Sequence, residues 1–240
     1  MRRALRELLT VLGLGLATTA GATSIPNDGD FSSIAQVLWG DPSHPAADLL
    51  VAQYDFVYGS TGGLLEIGIS GPSGFSILFT SASGVIGYLP AANAIGPLNA
   101  DLVDPSSSSS GAYAGEVAAL ALNVDFSDAG HLLRLPAVAF GDLVLVGFAD
   151  ALAPANGLSV RELLSIANEI LGGGSSVLGI SELYDIGEQV NSSFVNGVVS
   201  SWAQDHLRIP GTDGTVPEPG SLALLCLGLA GLGLSRRRRA

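Results

Sequence analysis

Asn156-Gly-Leu-Ser-Val-Arg-Glu-Leu-Leu-Ser-Ile-Ala-Asn-Glu-Ile-Leu-Gly-Gly-Gly174 is the stretch that decides the fold class. Asn156-Gly157 is a turn pair. Ser159-Val-Arg-Glu162 has the spacing of a capping box, in which the serine hydroxyl and the glutamate carboxylate each take a backbone N–H at a helix start. Val160, Leu163, Leu164, Ala167, Ile170 and Leu171 then recur at helical spacing, and Gly172–Gly174 ends the run. A helix is thus predicted within 158–172. A second periodic run begins at Ser181 and places Leu183, Ile186, Val190, Phe194, Val198 and Trp202 on one face, which predicts a helix within 181–208. Two amphipathic helices joined by a Gly/Ser loop read as a helical hairpin.

Working back toward the N-terminus, the pattern changes. Tyr113–Phe126 is rich in Ala and Leu and favours helix by propensity. Its Leu120/Leu122/Val124/Phe126 alternation equally suits a strand. Leu143–Phe148 is a short apolar run that reads as a strand or a buried turn. Between 48 and 90, four short runs, Leu49–Tyr58, Leu64–Ser70, Phe75–Thr80 and Val85–Leu89, are split by glycine-rich turns. Leu65, Ile67 and Ile69 fall on one face of the second run, with Glu66, Gly68 and Ser70 on the other. That alternation predicts antiparallel strands with one solvated face. Residues 24–47 read as an irregular lead-in with one helical turn around Ser32–Leu38 and a loop at Asp41–Pro45. Residues 91–111, ending in Ser106–Ser110, read as loop. The expected fold class is therefore α+β, with a β-rich region of antiparallel strands over 23–112 and a helical region over 113–214.

The two ends carry different information. Arg2, Arg3 and Arg6 precede the apolar stretch Leu8–Ala17 and the small residues Ala20-Gly21-Ala22. This is the layout of a secretory signal peptide over residues 1–22, cut before Thr23. At the other end, Pro217-Glu218-Pro219 is followed by an uncharged run built on Leu222, Leu224, Leu225, Leu227, Leu229, Leu232 and Leu234, and then by Arg236, Arg237, Arg238 and Arg239. The run from 222 to 234 reaches roughly 20 Å as a helix, against about 30 Å of hydrocarbon. Gly220 and Ser221 extend it, and the arginines snorkel to the interface. A single C-terminal membrane helix is expected, with the arginine block as a cytoplasmic stop.

The order Pro-Glu-Pro, apolar run, arginine block over 217–240 resembles the PEP-CTERM sorting tail of Gram-negative bacteria. The resemblance implies that an exosortase, a membrane-embedded cysteine transpeptidase-like enzyme, recognises Pro217, Glu218 and Pro219 and processes the tail. It implies the leucine run as membrane anchor and Arg236–Arg239 as stop-transfer block. The implied partners are the exosortase and, transiently, the inner membrane; the implied location is the inner membrane first, then the cell surface or the medium. A second resemblance covers roughly residues 95–200. Ala114-Gly-Glu-Val-Ala-Ala-Leu-Ala-Leu-Asn-Val-Asp-Phe126, Gly141-Asp-Leu-Val144, Asn156–Asn168 and Leu171-Gly-Gly173 are similar to a module of exported bacterial surface proteins whose biochemical role is unassigned. It implies surface display and carries over no catalytic residue.

Charge and chemistry narrow the function classes. Residues 23–216 hold 20 of the 22 acidic residues and three arginines, Arg134, Arg161 and Arg208, with no lysine, a formal charge of −17. Such a surface repels nucleic acid and anionic membrane; it reads first as solubility and colloidal repulsion of an exposed protein, and otherwise as a surface for divalent cations or basic partners. The single cysteine, Cys226, lies in the tail, so the exported part has no disulfide and no thiol nucleophile. His44, His131 and His206 lie in different segments outside any metal or protease pattern, and no nucleophile elbow, phosphate loop or dinucleotide fingerprint is present. Asp125 and Asp128 beside Ser127 read as a solvated turn or as part of a calcium site. Asn191-Ser-Ser193 matches a glycosylation sequon but falls on a helix face. The expected function is that of an exported, acidic, non-enzymatic cell-surface or extracellular-matrix protein, with no cofactor, no metal and no catalytic residue. An exopolysaccharide matrix is a further expected partner. The alternative is an adhesin or a carbohydrate- or cation-binding surface module.

Overall fold

The computed structural model describes residues 23–72 and 74–211, so the predicted leader and the whole predicted tail lie outside the described residues. After the four-residue helix α1 (Gln36–Trp39), the chain enters α2 (Pro45–Tyr58). His44 caps this helix, its Nδ1 accepting the Ala46 N–H at 3.1 Å. Pro45 occupies the first helical position, where a missing N–H costs nothing. Strands β1 (Leu65–Gly68) and β2 (Ser76–Phe79) form an antiparallel pair with Leu65 opposite Phe79. Helix α3 (Ala82–Tyr88), capped by the Ser81 hydroxyl, follows. Strand β3 (Leu102–Val103) then adds to the far side of β2 in parallel.

Helix α4 (Gly111–Asp128) is the axis of the body. Helices α5 (Val160–Leu171) and α6 (Ile180–Asn191) pack against it and against each other, and α1 and β1 close other sides. A two-residue strand β4 (Val144–Leu145) pairs antiparallel with β5 (Leu207–Arg208), which follows α7 (Ser201–His206). Of the 18 residues of α4, 15 are buried, and this resolves the helix-or-strand ambiguity of Tyr113–Phe126. A helix enclosed on all sides has no polar stripe, so its sequence shows no period. Residues before and after 112 share one core within Thr23–Pro210: Trp39 packs edge-on against Phe126 at 5.3 Å and Phe31 against Phe194 at 5.5 Å.

The two central runs of the β-rich region are strands as expected, and Leu65 and Ile67 point inward while Glu66 is exposed. The outer two are not. Leu49–Tyr58 lies in α2 and Val85–Leu89 lies largely in α3, so the antiparallel β-rich reading of 23–112 is corrected to a short sheet flanked by helices. The buried positions of α2, Ala46, Ala47, Leu50, Tyr54 and Tyr58, are helically spaced. Val51, Phe56 and Val57 fill other faces and disguise that period. The long helix predicted within 181–208 is also corrected. It stops at Asn191, passes a short 3-10 turn and resumes at Ser201. Asn196 (φ 56°) and Gly197 (φ 75°) adopt left-handed backbone there, which Asn-Gly pairs accept readily. Val198, expected on the apolar face, is exposed. The helix over 158–172 is observed as α5, with the capping box formed: Ser159 N–H donates to Glu162 Oε2 at 2.7 Å and Glu162 N–H to Ser159 Oγ at 3.2 Å. Among the described residues no helix is long and apolar enough to cross a membrane; the predicted membrane helix over Leu222–Leu234 lies outside them.

Candidate functional site

Two polar features stand out in the folded body. The first is a buried chain of side-chain hydrogen bonds centred on Glu116, in the second turn of α4. Gln36 Nε2 donates to Glu116 Oε1 at 2.6 Å, and Asn191 Nδ2 donates to Glu116 Oε2 at 2.7 Å and to its carbonyl at 3.0 Å. Asn123, two turns further along α4, donates to Asn191 Oδ1 at 3.0 Å and to the Ile34 carbonyl at 2.9 Å, and accepts the Ile34 N–H at 2.9 Å. Gln36 Oε1 accepts the Ala91 N–H at 3.2 Å. Glu116, Asn123 and Asn191 are all buried. Burial pushes the Glu116 carboxyl up, while the amides of Asn191 and Gln36 oppose that shift. Gly115 makes room for the arrangement, since a Cβ there would run into the Gln36 amide oxygen. The network ties the lead-in segment to α4 and α6 and accounts for the Glu and Asn of the Ala114–Phe126 motif as structural parts.

The second feature is an open cleft of about 650 Å³ where the C-terminal ends of α2 and α4 meet β1. Tyr58 OH donates to Asp125 Oδ2 at 3.0 Å, joining the last residue of α2 to the last turn of α4. Asp128, one turn on, is held by the Arg161 fork at 2.8 and 2.9 Å, and Arg161 also reaches Asp142 at 3.4 Å. Burial raises Asp125 to about 6, against the partial opposition of the Tyr58 hydrogen bond. The solvated-turn reading of Asp125 and Asp128 is therefore corrected: both lie in a helix, and each has its own protein partner. Among the described residues no three metal-binding side chains converge.

The Asp125 shift has a definite sign. Its folded value lies above the ordinary 3.8, so the folded body holds this proton more tightly than the unfolded chain. The associated stability is complete below about pH 4 and is lost as pH rises through about 6. Asp125→Asn keeps an acceptor for Tyr58 and removes the titration. Compared with the parent, that variant should gain about 2 kcal/mol of relative stability between about pH 4 and about pH 7. Denaturant unfolding at both pH values measures the difference.

The histidines are apart; His44 and His206 are hydrogen-bonded locally, while the buried His131 Nε2 has no partner among the described residues. His44 caps α2. His206 ends α7, stacks on Phe148 at 4.6 Å and donates from Nδ1 to the Val146 carbonyl at 2.9 Å. His131 sits edge-on to Phe56 at 5.3 Å. Asn191 of the sequon is fully buried. Sequence reasoning missed the Glu116 network. Its one available signal is a charged residue and an asparagine seven positions apart, hence on one helix face, inside an otherwise apolar helix.

Both ends of the folded body meet. Ser24 and Ile209 exchange backbone hydrogen bonds at 3.3 and 2.8 Å, and Asp28 accepts the Val199 N–H at 2.8 Å. The model of the PEP-CTERM protein-sorting motif matches residues 215–239. The chain carries a PEP-CTERM sorting tail. No curated protein and no solved structure matches the chain. Pro217, Glu218, Pro219, the leucines from Leu222 to Leu234 and Arg236–Arg239 all fall within the matched PEP-CTERM segment and outside the described residues. The PEP-CTERM tail implies export, membrane anchoring before cleavage, and an exosortase as partner. The pairing of Ser24 with Ile209 pins the root from which this tail departs.

Proposed function

We propose that the protein is a non-enzymatic component of the cell surface or extracellular matrix, released from the inner membrane when an exosortase processes its tail at Pro217-Glu218-Pro219. The observation that carries this reading is the PEP-CTERM match over 215–239, with recognition motif, apolar run and arginine block in order. A leader over residues 1–22 starts export, and Arg236–Arg239 hold the far end on the cytoplasmic side. The formal charge of −17 over 23–216 supports a role in an exposed, solvated layer, where like charges keep copies apart. The separation of the three histidines into different segments supports a structural body over a hydrolase. The acidic cleft favours a second reading, a surface module that binds a cationic ligand.

Subcellular fractionation tests the proposal. The full-length chain should pass through the inner-membrane fraction and accumulate at the surface or in the medium of a host that has an exosortase. A chain truncated after Val216 should never enter the membrane fraction and should remain soluble outside the cytoplasm. Identical distribution of the two chains would reject the tail as the sorting determinant.

A further inference from the structure

The cleft between α2, α4 and β1 lies in the folded body, apart in sequence from the sorting motif at 215–239, and has a defined lining. Its volume of about 650 Å³ lies in the range of small-ligand sites. Phe56 lines it and is 71 % exposed, whereas Phe31, Phe79, Phe126, Phe140 and Phe194 are fully buried. Val57 and Leu64 continue the apolar wall. Asp125, half-buried, lines the same cleft, with Oδ2 taken by Tyr58. Among the described residues nothing donates to Asp125 Oδ1. That oxygen opens to the cleft and is free to accept from a cationic donor.

The neighbouring charges fix the sign of that donor. Tyr58 faces Asp125 from α2, Asp128 from its own helix, Arg161 from α5, and Glu66 lines the cleft from β1. Arg161 is the one cation among them and is engaged by Asp128 and Asp142. An anion is repelled. A divalent metal needs several oxygens, and Asp128 is held by arginine, which leaves too few. The geometry points to a site for a small protonated aliphatic amine, its ammonium on Asp125 Oδ1 and its carbon stem along Phe56. This rests on and deepens the cationic-ligand reading of the cleft, and it is independent of the sorting role of the tail. An exposed aromatic ring in the same cleft as a carboxylate can provide both the apolar contact and a cation–π contribution. Because burial holds Asp125 near 6, binding strengthens as pH rises through that value, while an alkylamine stays charged to about 10.

Titration calorimetry of the full-length chain in nonionic detergent, with micelles alone as blank, tests this using pentylamine. The expected result is saturable binding at one site at about pH 8, weakened at least about tenfold at about pH 5. Asp125→Asn and Phe56→Ala should each weaken it at least about tenfold. Phe56 is mostly exposed, and its ring packs on His131 rather than on the buried core, so that variant tests the site with the core left in place. Pentanol and pentanoate should bind at least about tenfold more weakly. Asp185→Asn, which removes the same charge from the exposed face of α6, should leave binding unchanged. Absence of saturable binding, equal binding of pentanol, or equal losses in Asp185→Asn and Asp125→Asn would each overturn the assignment.

Discussion

Glu116→Gln should destabilise the folded body by about 2–4 kcal/mol, lowering Tm by roughly 5–15 °C. The reason is the direction of the buried network. Both carboxylate oxygens accept, from Gln36 at 2.6 Å and from Asn191 at 2.7 Å. A carboxamide presents one NH₂ group to one of those donors, and two donors then meet with no acceptor between them. The neighbours cannot turn to relieve this. Gln36 Oε1 is fixed by the Ala91 N–H, Asn191 Oδ1 by Asn123, and Asn123 by both backbone groups of Ile34. Reversing any amide passes the conflict along until it reaches a backbone N–H, which cannot reverse. A buried donor without a partner costs about 1–3 kcal/mol, and the conflict strands at least one. Thermal and denaturant unfolding of the variant measure the effect. Glu188→Gln on the exposed face of α6 supplies the comparison and should stay within about 0.5 kcal/mol of the parent. A Glu116→Gln chain as stable as the parent would show that the network has no fixed direction.

That network also marks where sequence reading stops. Local signals were legible: the Ser159–Glu162 capping box, the glycine stop after Leu171 and the alternation around Leu65 and Ile67 each correspond to an observed element. These depend on residues within a turn or two of one another. What failed depended on distant partners. α2 reads as a strand because Val51 and Phe56 are exposed apolar residues, and sequence alone does not say which apolar residues lie inside. Its helix signals, Pro45 after a capping residue and Leu50, Tyr54 and Tyr58 four apart, were present but outweighed by the apolar run. α4 reads ambiguously because it is enclosed. The Asn196-Gly197 break is a turn pair overridden by the apolar period that spans it. The Asp125 cleft joins residues 67 positions apart through the Tyr58 hydrogen bond, and no spacing rule connects them. The tail is the opposite case. Its meaning lies in the order of three adjacent parts, and that order is complete in the sequence.

The second large effect is expected in the tail. Pro217 and Pro219 each fix φ and lack a backbone donor, and Pro219 disfavours helix at Glu218. On the proposed sorting role, these two constraints are what would present Glu218 to the exosortase. On the same proposal, Arg236–Arg239 stay on the cytoplasmic side and set the orientation of the tail. Glu218→Gln should impair processing and leave insertion intact. Replacing Arg236–Arg239 by serine should loosen the stop and the orientation.

The most direct measurement follows the size and location of a chain in which Pro217, Glu218 and Pro219 are all replaced by alanine, expressed beside the parent in a host that has an exosortase. Retention of that chain in the inner membrane at its unprocessed size, while the parent is shortened and released, is the predicted result. Normal shortening and release of the alanine chain would contradict the sorting role of the tail.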